Sequence, residues 1–100
     1  MQNKKRTLRV TKEANDDILS IGLYTQTEWG DTQRVLYLNG LDERLNRLAD
    51  GWISGKKRDD IKNGYWSYQY EQHLIFYRIN GDDLEIIGVV HQASDYHSNL

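Results

Sequence analysis

The hydrophobic positions of this chain change their period twice, and each change marks a change of element. Thr7–Thr11 alternates around Leu8 and Val10 as a short strand does, and Thr11 followed by Lys12, Glu13 and Ala14 reads as a helix N-cap with an acid in the first turn. Ala14, Ile18, Ile21, Thr25 and Trp29 then recur every three to four residues, which predicts one helical face and leaves Glu13, Asp16, Asp17 and Gln26 mostly elsewhere. Gly30 supplies the stop. Asp31 or Thr32 can cap a second helix, in which Leu38, Leu41, Leu45 and Leu48 form a stripe with Val35 beside it. So brief a break predicts an antiparallel helical hairpin.

From Asp50 to Asn63 the periodicity is lost, and Gly51, Ser54, Gly55 and the charge run Lys56–Asp60 read as a surface loop, with room for one helical turn. Tyr65–Tyr70, His73–Ile79 and Leu84–His91 are rich in aromatic and β-branched residues and predict three strands. Asn80-Gly81 signals a primed hairpin turn, and Glu71-Gln72 a weaker one. The expected architecture is α+β: an N-terminal strand, the helical hairpin, then a three-stranded antiparallel sheet and a polar tail from Gln92.

A turn at Asn80-Gly81 or Gly81-Asp82 groups Ile75, Tyr77 and Ile79 with Leu84, Ile86 and Val90 on one face. Leu74, Phe76 and Arg78 then share the other with Glu85, Ile87, Val89 and His91. Both faces are substantially apolar, and two helices cover only one. The expectation is therefore an apolar sheet surface left for a partner, a swapped copy or the chain's own tail.

A chain of 100 residues, 38% of them hydrophobic, has enough apolar residues for one core and too few for two. The absence of cysteine rules out disulfides, a thiol nucleophile and thiolate metal ligation, which fits a reducing compartment. No apolar run approaches the ~20 residues that span a bilayer, and the basic start leads into no signal core, so the expected location is the cytoplasm, with no membrane contact.

The net charge of −2 hides an uneven distribution. Residues 1–12 carry five basic side chains and no acid, and residues 51–62 four basic and two acidic; residues 13–50 hold three basic and eight acidic, and residues 63–100 one basic and five acidic. That balance argues against phosphate-backbone binding as the main source of affinity.

Candidate chemistry is sparse. The acids sit on helix surfaces, loops and turns, so paired-carboxylate hydrolysis has little support. Ser54, Ser67, His73, His91 and Asp95 supply the letters of serine–histidine chemistry without a nucleophile elbow. His73 and His91 flank apolar strands, the setting of a packed histidine more often than of a ligand. His91, Asp95 and His97 have metal-ligating groups but no second cluster, so no metal and no cofactor is expected. RNA cleavage needs cations for phosphate and a proton-transfer pair, yet Arg78 is the only Lys or Arg on the three C-terminal strands, where it faces Glu85 or Asp83. Trp66, Tyr68 and Tyr70 share a strand face that suits sheet packing better than base stacking.

Several segments in order resemble ParE toxins, of the RelE/ParE superfamily of bacterial type II toxin–antitoxin systems. Leu8–Ala14 is similar to that family's first strand running into its Thr-capped helix, and Tyr24-Thr25 with Trp29-Gly30 to the helix end and turn. Leu48-Ala49, Gly55, Arg58-Asp59-Asp60-Ile61 and Gly64 resemble the loop; His73, Ile75-Phe76-Tyr77-Arg78, Glu85-Ile86 and His91 with Asp95 resemble the last strands. The resemblance implies a helical hairpin on an antiparallel sheet. It also implies a toxin that blocks DNA gyrase in a state with broken DNA, has no catalytic residues, and is held inactive by the flexible C-terminal segment of a ParD-like antitoxin. Operator DNA would be met only through that antitoxin, in a hetero-oligomer.

On this reading Trp29, Arg58, Arg78, His91 and Asp95 are candidate contacts with target or partner, and Ile75, Tyr77 and Ile86 form the antitoxin-binding sheet face. Two positions depart from the family: Trp66 stands where many members have an arginine, and Ala93-Ser94 where many have one in the last His…Asp segment. The alternatives on the same fold are a RelE-like ribosome-dependent mRNA endonuclease and a non-toxic antitoxin-binding member.

Overall fold

In a computed structural model that describes residues 5–100, the chain turns from strand to helix at Thr11. The Thr11 side chain accepts from the N–H of Ala14 at 3.1 Å, closing the first helical turn, while its hydroxyl donates to the carbonyl of Ile86 at 2.9 Å. One residue therefore caps α1 (Lys12–Trp29) and ties the end of β1 (Thr7–Val10) to the sheet. The first four residues of the basic arm lie outside the described residues.

Gly30 alone separates α1 from α2 (Asp31–Ala49). Its φ of 91° lies in the region that glycine enters without strain; its N–H donates to Gln26 and its carbonyl accepts from Arg34. The expected cap at Asp31 or Thr32 is corrected accordingly. With one residue between helices the Gly30 backbone takes that place, Asp31 is already helical, and no side chain caps α2. Leu41, Leu45, Leu48 and Ala49 are buried as the leucine stripe predicts, and Leu38 packs against them. Ala14, Ile21 and Thr25 are buried on α1, whereas Trp29 overhangs the end of the hairpin at 71% exposure.

The sheet has five strands in the order β1-β5-β4-β3-β2, with β2 (Lys56–Lys57), β3 (Trp66–Tyr70), β4 (His73–Asn80) and β5 (Asp83–His91). The three predicted antiparallel strands form its centre. β1 adds to β5 in parallel, and β2 appears within the expected loop, pairing with Trp66 and Ser67. Gly55 makes that approach feasible, since a Cβ there would lie 2.1 Å from the Ser67 carbonyl oxygen. The β4–β5 turn is Gly81-Asp82, flanked by the Asn80–Asp83 pair, with Gly81 at the φ of 62° that a primed turn asks of its first position.

One register expectation is overturned. Phe76 pairs with Gly88 but Tyr77 pairs with Ile86, so Ile87 is an extra residue, a β-bulge, and every residue beyond it changes face. Val89, 3% exposed, thus packs in the helix-side core with Ile75, and Val90 pairs with Leu74 on the other face, the reverse of the sequence parity.

The assignment of Ile75, Tyr77 and Ile86 to an antitoxin-binding face is corrected as well. They are 0%, 2% and 0% exposed and pack with Leu41, Leu45 and Leu48 in the core between sheet and helices. The side chains are apolar because they are the core, so they offer a partner nothing while the hairpin is docked. The opposite face is covered in part by the tail, where α3 (Tyr96–Asn99) lays the Tyr96 ring 5.4 Å from Phe76.

Candidate functional site

The loop before β3 is organised around Arg58, which is 8% exposed. Its Nε and Nη2 donate to the two carboxylate oxygens of Asp60 at 3.0 and 2.9 Å, and its Nη1 donates to Ser67 Oγ at 3.2 Å. The guanidinium lies 5.4 Å from the Phe76 ring centroid and 5.5 Å from that of Tyr96. A planar, forked cation satisfies all of these at once, which explains arginine here. The hydrogen-bonded Arg58 holds the Asp60 carboxyl well below the usual carboxylate range. His97 Nε2 reaches the same carboxylate at 3.2 Å, so Arg58 and Asp60 together pin the C-terminal segment to the outer sheet face. Arg58, one of the candidate contacts with target or partner, is enclosed and paired with Asp60 within the fold.

Arg78 is on that outer face but near the hairpin turn. Its Nε donates to Glu85 at 2.6 Å, the cross-strand pair that the register sets opposite it. That bond raises its already high pKa.

A groove of about 1280 Å³ runs along the other side of the molecule, between α1, the start of α2, the β3–β4 turn, the end of β5 and the tail. Glu13, Asp17, Ser20 and Tyr24, spaced by four, three and four residues, form its α1 wall. Tyr24 and Trp29 present exposed rings at one end, with Tyr37, His73 and His91 beside them. The Tyr37 hydroxyl hydrogen-bonds to Nδ1 of His73 at 2.5 Å, and the rings of His73 and His91 meet edge to face at 5.5 Å. Burial pushes the Tyr37 phenol above its ordinary value; burial and then His91 push His73 down, which favours a neutral ring. His73 is thus the packed, bonded histidine that its place at the start of β4 suggests.

Of the five candidate contacts, the groove gathers two, Trp29 and His91. His91 accepts at Nδ1 from the N–H of Ala93, 3.0 Å away. Asp95 is exposed and immediately precedes α3, lining neither the groove nor the Arg58 site. Arg58 and Arg78 belong to the opposite face. Sequence reasoning missed Asp17, Tyr24 and Tyr37. The signal for the first two lay in the i, i+4, i+7, i+11 spacing from Glu13, a second stripe beside the apolar one. Tyr37 carries no signal of its own, because only the fold brings it to His73. No group of three or more His, Cys, Asp or Glu side chains that could hold a metal occurs among the described residues. None of their helices is long and apolar enough to cross a membrane.

Comparison with known proteins places this geometry. The chain is 32% identical over 77 residues to Toxin ParE1 of Mycobacterium tuberculosis, covering 76% of this chain and 79% of that protein. It is 28% identical over 92 residues to Toxin ParE1 of Caulobacter vibrioides, covering 92% and 95%. Among solved structures, a chain of the chromosomal ParDE toxin–antitoxin system from P. aeruginosa superposes with a TM-score of 0.77 at 15% identity, covering 88% of this chain and 97% of that one. A chain of the RelBE2 toxin–antitoxin complex from M. tuberculosis gives 0.64 at 21% identity, covering 93% and 100%. These two show the shared fold: strand, helical hairpin and antiparallel-rich sheet. The model of the ParE toxin of type II toxin–antitoxin systems matches residues 8–96, and with nearly the whole described fold inside that match, the chain belongs to the ParE toxin family.

Proposed function

We propose that this toxin disables DNA gyrase by binding it, performs no catalytic step of its own, and is neutralised by a ParD-like antitoxin. Family membership supplies the toxin; the disposition of its charges favours binding over RNA cleavage. The observation that carries the reading is that three arginines on or under the sheet are paired within the fold, Arg9 with Asp83, Arg58 with Asp60 and Arg78 with Glu85. An mRNA endonuclease must stabilise extra negative charge on phosphorus and move protons beside it. Here the histidines His73 and His91 line the groove on the helix side, while Arg58 and Arg78 are on the outer face. His73 and His91 are therefore on the opposite side of the sheet from Arg58 and Arg78, and His97, the histidine on the arginines' side, is engaged with Asp60. The edge lysines Lys56 and Lys57 are exposed, and Lys57 lies 6.0 Å from the Trp66 ring, a surface suited to an acidic partner.

Controlled expression in bacterial cells tests this reading. Falling plasmid supercoiling with induction of DNA-damage signalling, both suppressed by co-expressing the antitoxin encoded beside the toxin, is the expected result. Ribosome-dependent mRNA cleavage with supercoiling unchanged would replace it with the endonuclease reading.

A further inference from the structure

We infer that the end of the molecule away from Gly30 binds the phosphate backbone of duplex DNA, through Lys56, Lys57 and Lys62 together with Lys5, Arg6 and Arg47. The inference rests on the gyrase reading for which duplex is met, the segment that gyrase holds. It adds a second surface by which the toxin grips the complex of gyrase with DNA.

The pairing of charges singles these residues out. Among the described residues, Arg9, Lys12, Arg34, Arg44, Arg58 and Arg78 each have a carboxylate within 4.0 Å. Lys5, Arg6, Arg47, Lys56, Lys57 and Lys62 have none. The Nε of Arg6 is also buried without a hydrogen-bond partner.

The fold gathers these six at one end. Arg47 is in the last turn of α2, about 24 Å along the helix from Asp31. The Arg6 N–H donates to the Ala49 carbonyl at 2.8 Å, and the Trp52 N–H to the Arg47 carbonyl at 3.0 Å, so arm, helix end and loop meet. The loop then crosses to the far sheet edge, where the Gly55 N–H donates to the Tyr77 hydroxyl at 2.7 Å and Lys57 pairs with Trp66. Arg6 acts on the same phenol: burial raises the Tyr77 pKa, while the Gly55 bond and then the Arg6 charge lower it. Lys57 and Lys62 lie 6.0 and 5.9 Å from the ring centroids of Trp66 and Tyr65, and both are exposed. Asp50 and Asp59, in the same segment, are too few to neutralise the cluster.

The kind of cation and its surroundings favour duplex phosphates. Four of the six are lysines, which are depleted at protein–protein interfaces but serve a phosphate as point charges. Single strands are held instead by stacking on exposed rings. At this end Tyr65 is buried, Trp66 stacks on Tyr77 at 6.2 Å, and only the Trp52 ring is largely open. The sheet edges β1 and β2, which flank the cations, are four strand spacings or about 19 Å apart. Over that length one strand of a duplex presents about six phosphates. Contacts of this kind carry no sequence information, and the net charge of −2 keeps the affinity for free DNA modest.

Fluorescence anisotropy of a labelled duplex of about 20 base pairs, titrated with purified toxin at salt concentrations from about 25 to 150 mM, tests this. Binding is expected in roughly the micromolar range at the lowest salt, with a slope of log affinity against log salt of about −4 to −5. Lys57→Glu and Lys62→Glu are each expected to weaken binding about tenfold and to make that slope shallower by about 1. Lys12→Glu makes the same charge change at a side chain already paired with Asp16, and is expected to stay within about twofold of the parent. No binding at low salt, a slope near zero, or equal losses from all three variants overturn the assignment. Loss of gyrase inhibition in the Lys57 and Lys62 variants, with no duplex binding by the parent, also overturns it and moves the contact to an acidic protein face. A parent toxin that binds duplex as expected yet leaves purified gyrase unaffected supports this surface and contradicts the gyrase reading.

Discussion

Asp17 accepts a hydrogen bond from the backbone N–H of Val89 at 2.9 Å, and this contact fastens α1 to the edge of β5 that β1 leaves unpaired. Burial raises the Asp17 carboxyl above its ordinary value despite the bond from Val89, so the ionised side chain is held at some cost. Asp17→Ala leaves a part-buried N–H without its acceptor and is expected to lower stability by about 1–3 kcal/mol. Asp17→Asn keeps an acceptor, drops the charge, and is expected to stay within about 0.5 kcal/mol of the parent at neutral pH. Chemical denaturation of the two variants checks both values.

Arg58 offers a sharper contrast, because a charge-conserving change is expected to fail. Arg58→Lys keeps the cation but loses the fork that serves Asp60 and Ser67 together and the plate between Phe76 and Tyr96. Both Arg58→Lys and Arg58→Ala are expected to destabilise the fold by about 2 kcal/mol or more. Both should also speed amide exchange at Tyr96–Asn99, since Arg58 and Asp60 hold that segment down. Asp59→Asn, whose parent carboxylate accepts only at an exposed position from Gly64, is expected to change neither.

Gly40 inverts the usual rule for glycine in a helix. Gly→Ala in a helix interior normally stabilises by up to about 1 kcal/mol, but here the new Cβ would lie 2.2 Å from the Tyr70 hydroxyl oxygen. That hydroxyl donates to the Tyr37 carbonyl at 3.0 Å, so the ring cannot retreat without losing its partner. Gly40→Ala is expected to cost about 1–3 kcal/mol. Tyr70→Phe, which removes the clashing oxygen, should make the double variant less destabilised than the sum of the singles. A thermodynamic cycle measures that coupling.

His73 makes stability depend on pH in a stated direction. Its folded pKa lies below the ordinary value near 6.5, so the unfolded chain takes up the proton first. The contribution of this group is complete above about pH 6.5 and is lost as pH falls from there through the lower folded value. Denaturation midpoints between pH 7.5 and 5.5 should therefore decline, and His73→Gln should flatten the decline while keeping a polar group opposite Tyr37.

The elements were legible because each carried its own local signature: the Thr11 cap, the leucine stripe of α2, the Gly30 stop and the turn signals before β4 and β5. The parity of β5 was not, because a bulge at Ile87 is a property of the paired strands, and alternation in one strand cannot report it. The same limit explains the misplaced partner face. Ile75, Tyr77 and Ile86 look like an unclaimed apolar surface until the docking of the helices decides which side of the sheet is inside. Arg58 reads as an exposed loop charge because Phe76 and Tyr96, which enclose it, are distant in sequence. In the groove, Trp29 and His91 were visible as residues, whereas their proximity to Tyr24, Tyr37 and His73 arises only from the crossing of hairpin and sheet.

The central claim is that this toxin acts on gyrase by binding rather than on RNA by cleavage. The most direct measurement is a supercoiling assay with purified gyrase, relaxed plasmid, ATP and purified toxin, analysed after detergent and protease treatment. The account predicts loss of supercoiling with accumulation of linear, broken plasmid, relieved by adding antitoxin. Undiminished supercoiling with no broken DNA, at toxin concentrations that cleave mRNA on ribosomes, would contradict it.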